Sequence, residues 1–176
     1  INNSVTALTL LPNSDVIAGG YFTGAGAVPA KRIARWDGEA WNELSSGMNN
    51  SVEALATMPN GDVVAGGSFT QAGGVATNKI ARWNGANWQS LGTGLDFPTS
   101  FSAGSALAVY NNELIVGGDF ETAGGVTVNN IARWNGAAWV PLGPGMGPSG
   151  ASLVSEIAGL PHGGLIAVGD FGAAGG

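Results

Sequence analysis

The sequence contains no cysteine among its 176 residues and only one histidine. Without cysteine there can be no disulfide bond, no thiol nucleophile and no zinc–thiolate site. Charge is also scarce, since charged residues make up 10% of the chain and only six are Lys or Arg. The formal net charge of −6 argues against a nucleic-acid or anionic-membrane partner, because both require a basic surface. No apolar run approaches the roughly 20 residues of a membrane-spanning helix, so membrane insertion is not expected.

The usual signs of catalysis are absent as well. An enzyme site needs titratable groups that are placed to act together, and His162 stands alone in the turn-like segment Leu160-Pro161-His162-Gly163. A serine–histidine–aspartate triad would have to use this residue, and the sequence lacks the G-x-S-x-G elbow that presents such a serine. We therefore predict no catalytic residue, no metal site and no cofactor, and we do not expect this chain to be an enzyme.

Glycine (31 residues) and tryptophan (six residues) are abundant, and they recur in a repeat. One phenylalanine marks each copy, at intervals of 47, 51 and 51 residues: Phe22, Phe69, Phe120 and Phe171. A tryptophan pair with a spacing of five residues keeps the same phase: Trp36 and Trp41, Trp83 and Trp88, Trp134 and Trp139. A period of this length is typical of architectures in which similar units stack on one another.

Each copy reads as four short strands. In the first copy these are the alternating run 5–10, the run 16–20 that ends in Gly19-Gly20, the segment 33–36, and a strand that begins near Trp41. A longer Gly/Ala loop separates the second and third strands. Asp37-Gly38 is typical of a two-residue type I′ hairpin turn, and that turn would place Trp41 opposite Ala34.

Four strands in a period of about 40–50 residues predict a β-propeller blade. The order of apolar strand, di-glycine and an aromatic residue shortly before a tryptophan resembles kelch-type and galactose-oxidase-type blades. The sequence R-W-N-G-A-x-W-x-x-L-G-x-G-M resembles the repeat arrays of secreted or surface-anchored bacterial proteins, and also the kelch-like repeats of a fungal cell-polarity marker. The copper site of galactose oxidase needs cysteine, so it is excluded here. We predict an all-β fold, a β-propeller built of four-stranded blades.

The copies span residues 1–48, 49–95, 96–146 and 147–176, and we interpret them as one partial propeller domain of about three and a half blades. The last copy contains only the first two strands. A propeller ring generally needs at least four blades, so this chain should expose a sheet face and unpaired edges. The missing blades would come either from a longer chain of the same repeat or from a second copy in a homo-oligomer.

We predict structural roles for two sets of recurring residues. All six tryptophans should pack between neighbouring sheets, because a large ring beside a small residue is how stacked sheets interdigitate. An arginine precedes the first tryptophan of each pair (Arg35, Arg82, Arg133), and a carboxylate partner is expected at Asp15, Asp62 or Glu113. Phosphate or carboxylate recognition by these arginines is the alternative.

The residue after the di-glycine differs among the copies: Tyr21, Ser68, Asp119 and Asp170. Loops at strand ends line the openings of propellers, where ligands commonly bind. These four residues are therefore the candidate binding residues. Asp119 with Glu121, and Asp170, could bind a hard cation such as calcium, although solvated loop carboxylates are the simpler interpretation.

The favoured function is a non-catalytic, extracellular or cell-surface propeller module for binding, adhesion or assembly, with a glycan or a protein as ligand. Low charge and the absence of cysteine fit an exported array, and the resemblance implies the same. The first alternative is lectin-like glycan binding. The second is a propeller segment of a larger enzyme whose active residues lie outside this chain.

Overall fold

The computed structural model describes residues 1–96, 106–147 and 153–174. These residues form strands and turns and contain no helix. The chain divides into two compact units, Ile1–Ser90 and Leu91–Gly176. Parts of the predicted third and fourth copies, 96–146 and 147–176, lie outside the described residues.

The first unit contains two four-stranded antiparallel sheets. The first sheet has the order β1-β2-β5-β6, and its strands and short hairpin are β1 (Val5–Leu10), β2 (Val16–Gly20), β3 (Gly24–Ala25), β4 (Val28–Pro29), β5 (Ile33–Trp36) and β6 (Trp41–Glu43). The second sheet has the order β7-β8-β11-β12, with β7 (Val52–Thr57), β8 (Val63–Gly67), β9 (Gln71–Ala72), β10 (Val75–Ala76), β11 (Ile80–Trp83) and β12 (Trp88–Ser90).

The second unit repeats this arrangement once and then begins it again. Its four-stranded sheet has the order β14-β15-β18-β19, and the strands in chain order are β13 (Leu95–Asp96), β14 (Ala106–Tyr110), β15 (Glu113–Gly117), β16 (Thr122–Ala123), β17 (Val126–Thr127), β18 (Ile131–Trp134) and β19 (Trp139–Pro141). The last sheet has two strands, β20 (Leu153–Gly159) and β21 (Leu165–Asp170). The prediction of an all-β chain built from four-stranded sheets is confirmed.

Two local predictions were wrong. The Gly/Ala segment between the second and third strands is not a plain loop, because it contains a small hairpin in each copy: β3–β4, β9–β10 and β16–β17. The outer hairpin does not have a two-residue turn either, since Trp36 pairs directly with Trp41 and Ala34 pairs with Glu43. The connecting loop therefore has the four residues 37–40.

The side chain of Asp37 explains the longer loop. Its Oδ1 accepts hydrogen bonds from the backbone N–H groups of Glu39 (3.0 Å) and Ala40 (2.8 Å), and its Oδ2 accepts one from the Asn42 side chain (2.7 Å). These bonds lower the pKa of Asp37 to about 2, with the Ala40 N–H as the largest cause. Only Gly38 has a positive φ in this loop, whereas a type I′ turn needs two such residues.

Within the first unit the two sheets contact each other face to face, and their first strands are neighbours. The Thr6 hydroxyl donates to the backbone oxygen of Val52 (2.6 Å), and the hydroxyls of Thr9 and Thr57 share a hydrogen bond (2.8 Å). The core between the sheets is formed by apolar residues from both, among them Ile17, Ile33, Leu44, Met48, Val52, Phe69 and Trp88.

Glycine permits the close approach of the sheets. A Cβ atom built on Gly19 would lie 2.5 Å from Cγ1 of Val52, and one built on Gly117 would lie 2.5 Å from Cγ1 of Val154. Real side-chain atoms do not approach this closely, so the first glycine of the di-glycine leaves room for a valine of the following sheet. The fold thus gives a physical reason for the di-glycine in the repeat.

Candidate functional site

The first sheet presents an uncovered apolar face. A depression on it is lined by six residues: Ile1, Val5, Leu8, Val16, Trp36 and Trp41. Leu8 and Leu10 of the same sheet are each 63% exposed. We call the six lining residues the open face. A contiguous exposed apolar surface on a folded protein commonly marks an interaction site.

The three tryptophan pairs share one geometry. Their ring centroids lie 5.4 Å apart in Trp36–Trp41, 5.4 Å in Trp83–Trp88 and 5.2 Å in Trp134–Trp139. Direct cross-strand pairing places both rings of a pair on the same face of the sheet. The pairs therefore differ in what covers them rather than in their own structure.

The second tryptophan of a covered pair makes a particular hydrogen bond. Trp88 is 3% exposed, and its Nε1–H donates to the backbone oxygen of Leu44 in the preceding sheet (3.2 Å). Trp139 is also buried, and its Nε1–H donates to the backbone oxygen of Leu91 (2.9 Å). Trp41 is only half-buried, and no described residue accepts a hydrogen bond from its indole N–H.

This difference separates the six tryptophans that the sequence analysis treated as one group. In the first unit, Trp83 and Trp88 pack in the core shared by its two sheets. Trp36 and Trp41 instead line the open face, so among the described residues no neighbouring sheet of the first unit covers them. A repeat position is not by itself enough to predict burial, because the covering surface belongs to another copy.

Each recurring arginine is paired with the carboxylate named in the sequence analysis. Nε of Arg35 lies 3.6 Å from Oδ2 of Asp15, and Nε of Arg82 lies 3.5 Å from Oδ2 of Asp62. Nη1 of Arg133 lies 2.7 Å from both carboxylate oxygens of Glu113. All three bridges lie at partly exposed positions, where such pairs contribute little to stability, and each joins the second strand region to the third.

Two of the candidate binding residues lie in the first unit. Tyr21 is exposed, and the Arg32 side chain donates to its backbone oxygen. Ser68 donates to Oε1 of Glu53 (2.7 Å), which also accepts from Ser51 (3.1 Å). The other oxygen of Glu53, Oε2, is buried and has no hydrogen-bond partner among the described residues.

Sequence reasoning missed Glu53. It occupies a β-bulge in β7, where the register shifts between Val52 and Ala54, and this bulge brings its carboxylate to the residue that follows the di-glycine. The corresponding residue of the first sheet, Thr6, lies in a similar bulge. The glutamate between apolar residues near the start of this strand could have indicated the bulge, since an alternating strand would not place a charge there.

The other two candidate binding residues lie in the second unit. Oδ1 of Asp119 is buried without a hydrogen-bond partner among the described residues, whereas Asp170 is exposed at the end of β21. In the part of the chain that the structure describes, no three His, Asp or Glu side chains are grouped in a way that could hold a metal ion. The geometry of these carboxylates adds no support for a calcium site. The binding role of all four residues stays a prediction.

Comparison with known proteins supports the fold. Residues 59–85 and 111–135 match the family model described as a beta-propeller domain of unknown function (DUF5122). No curated protein matches the sequence. Together with the four-stranded sheets, the family match shows that the chain is built of β-propeller blades. The described residues contain no helix that is long and apolar enough to span a bilayer.

Proposed function

We propose that this chain is a non-catalytic propeller module, located outside the cell or on its surface, that serves in binding, adhesion or assembly. The supporting observation is the open face, whose aromatic and aliphatic residues lie on a sheet that packs against a like sheet on its other side. Low charge, absent cysteine and the resemblance to the kelch-like and galactose-oxidase-like arrays of exported bacterial proteins support the location.

The open face has the chemistry of a surface that becomes buried. Burial of one fully exposed leucine-sized side chain stabilises by about 1.5–3 kcal/mol, and this face carries several apolar side chains together. In the first unit the equivalent face of the second sheet, with Trp83 and Trp88, packs against the first sheet. A like sheet is therefore the natural partner of the open face.

Adding one blade to the full chain tests this proposal. Ile1 takes the place in the repeat that Met48 has at the end of the first copy. A second copy of residues 48–94 placed directly before Ile1 would thus continue the repeat in phase. The chain has no cysteine, so Leu8→Cys supplies a unique thiol on the first sheet whose reaction with a maleimide reports whether the sheet is covered.

We expect the added blade to slow the labelling of Leu8→Cys about tenfold or more, because a covered thiol reacts only after local opening. Glu39→Cys, in the exposed loop of the outer hairpin, serves as the matched control and should label at the same rate with and without the added blade. Unchanged labelling at residue 8 would show that the open face does not bind a like sheet and would refute the proposal.

Glycan binding at the ends of the second strands is a second candidate. The exposed ring of Tyr21 favours it, because an aromatic side chain beside polar groups suits a sugar face. A glycan array probed with the wild-type chain and with Tyr21→Ala should show binding that this substitution removes, while Val75→Ala on an exposed hairpin leaves it intact. Absence of wild-type binding across a broad array would exclude this candidate.

A further inference from the structure

The fourth sheet departs from the repeat at one position that the interfaces between sheets use. In the strand pairing, Gly19 lies opposite Ala7, Gly66 opposite Ala54 and Gly117 opposite Ala106. The corresponding pair in the last sheet is Val168 opposite Glu156. Valine therefore stands where the three preceding sheets carry the first glycine of the di-glycine.

That glycine is in direct contact with the next sheet. Val52 fills the space beside Gly19, and Val154 fills the space beside Gly117. In both places a Cγ1 atom of the valine lies 2.5 Å from the position that a Cβ atom on the glycine would take. Both valines are fully buried at 0% exposure. Each of these two interfaces, one inside each unit, thus joins a glycine of one sheet to a valine in the first strand of the following sheet.

Two exposed valines do not fit this rule. Val5 has the position of Val52 in the first sheet and is 41% exposed, while Val168 is 54% exposed. If the fourth sheet of a second copy stacked on the open face in the usual geometry, the side chain of Val168 would occupy the space of Val5. Overpacking of this kind destabilises a contact.

The outer half of the open face points to the same partner. Trp88 and Trp139 each donate to the carbonyl of a leucine that follows a fourth strand, so a partner with a fourth strand would offer Trp41 the same acceptor. A complete blade offers both the glycine and the leucine carbonyl.

We infer that the open face selects a complete blade of the same repeat that carries glycine at the position of Gly19, and that it rejects the Val168-bearing sheet of a second copy. This inference rests on the proposed function and adds the partner that the face accepts. The glycine–valine contact sets the selectivity, and the Trp41 indole N–H sets the orientation.

The added-blade chain described above tests the selectivity. In that chain Gly66 of the added copy would lie against Val5. Gly66→Val in the added copy is expected to return the Leu8→Cys labelling rate to that of the chain without an added blade. Val5→Gly, introduced together with Gly66→Val, is expected to restore the protection, because the glycine at residue 5 leaves room for the new valine.

The rescue distinguishes a steric rule from misfolding of the added blade, which Val5→Gly could not repair. Equal protection with glycine and valine, or loss of protection that Val5→Gly does not restore, would overturn the selectivity while the proposed function stands. Loss of protection with every added blade would instead refute the proposed function itself.

Self-association tests the rejection of a second copy. We expect sedimentation of the unaltered chain to show no dimer that forms through the open face. Leu8→Asp is the comparison, because a charge at this position would break such a dimer. Dimers that dissociate with Leu8→Asp would show that two copies join through the open face, and they would overturn the inference.

Discussion

Substitution of Trp88 measures how much the stacking of one sheet on another contributes to stability. Trp88 is buried in the core of the first unit, packs over Gly73 of its own small hairpin and donates to the Leu44 oxygen of the preceding sheet. Burial of a side chain of this size contributes about 1.5–3 kcal/mol or more, and the hydrogen bond about 0.5–1.5 kcal/mol. We therefore expect Trp88→Ala to lower the free energy of unfolding by about 3–5 kcal/mol.

Trp41→Ala is the matched control. Trp41 has the same cross-strand partner geometry as Trp88, with Trp36 at 5.4 Å, and it also packs over a glycine, Gly26. It lacks the covering sheet and the hydrogen bond to a leucine carbonyl. Its loss should be limited to contacts within one sheet, about 0.5–1.5 kcal/mol, so the difference between the two variants isolates the contribution of the interface.

Urea denaturation followed by far-UV circular dichroism gives both values without relying on the tryptophans that are removed. Trp88→Phe adds a third point, because it keeps an aromatic ring and removes only the indole donor and part of the volume. Equal losses for Trp88→Ala and Trp41→Ala would refute the reasoning, since they would show that the neighbouring sheet contributes nothing to the stability of the ring.

Two further predictions concern the glycine contact and the outer hairpin. Gly19→Ala is expected to destabilise the protein by about 1–3 kcal/mol, because the added Cβ would meet Val52. Gly172→Ala is the control in thermal unfolding, because open space surrounds Gly172. Equal melting temperatures of the two variants would contradict the close contact. The pKa of Asp37 is about 2 in the folded chain against an ordinary 3.8, so its stabilising contribution is present above about pH 4 and is lost as the pH falls toward 2. Asp37→Asn should make this contribution independent of pH, because Asn84 and Asn135 accept the same pair of backbone hydrogen bonds in the other copies. The urea midpoint of the variant should therefore fall less than that of the wild type between about pH 4 and pH 2. An equal fall in both proteins would contradict the assignment.

Much of the fold follows from short-range signals. The alternation of apolar residues in segments such as 5–10 fixes the strands, and the spacing of the phenylalanines fixes the unit that repeats. The ion pairs of Arg35, Arg82 and Arg133 were also predictable, because neighbouring antiparallel strands bring residues of the second and third strand regions together in every copy. These features depend on contacts within one blade, which the repeat encodes completely.

The outer hairpin shows where local reasoning fails. Asp37-Gly38 is a strong two-residue turn signal, yet the Asp37 side chain satisfies two backbone N–H groups and stabilises a four-residue loop instead. The change of loop length moved the partner of Ala34 from Trp41, as predicted, to Glu43. The competing hydrogen bonds of one side chain therefore decided the register.

The sequence alone determined the main features of the blade: its four long strands, its period and its internal ion pairs. Only the tertiary structure decided which tryptophans are covered and what lies against the first glycine of the di-glycine. The physical reason is that these properties belong to the contact between two blades. A repeat written along the chain describes each surface, but the free energy of a surface depends on what lies against it.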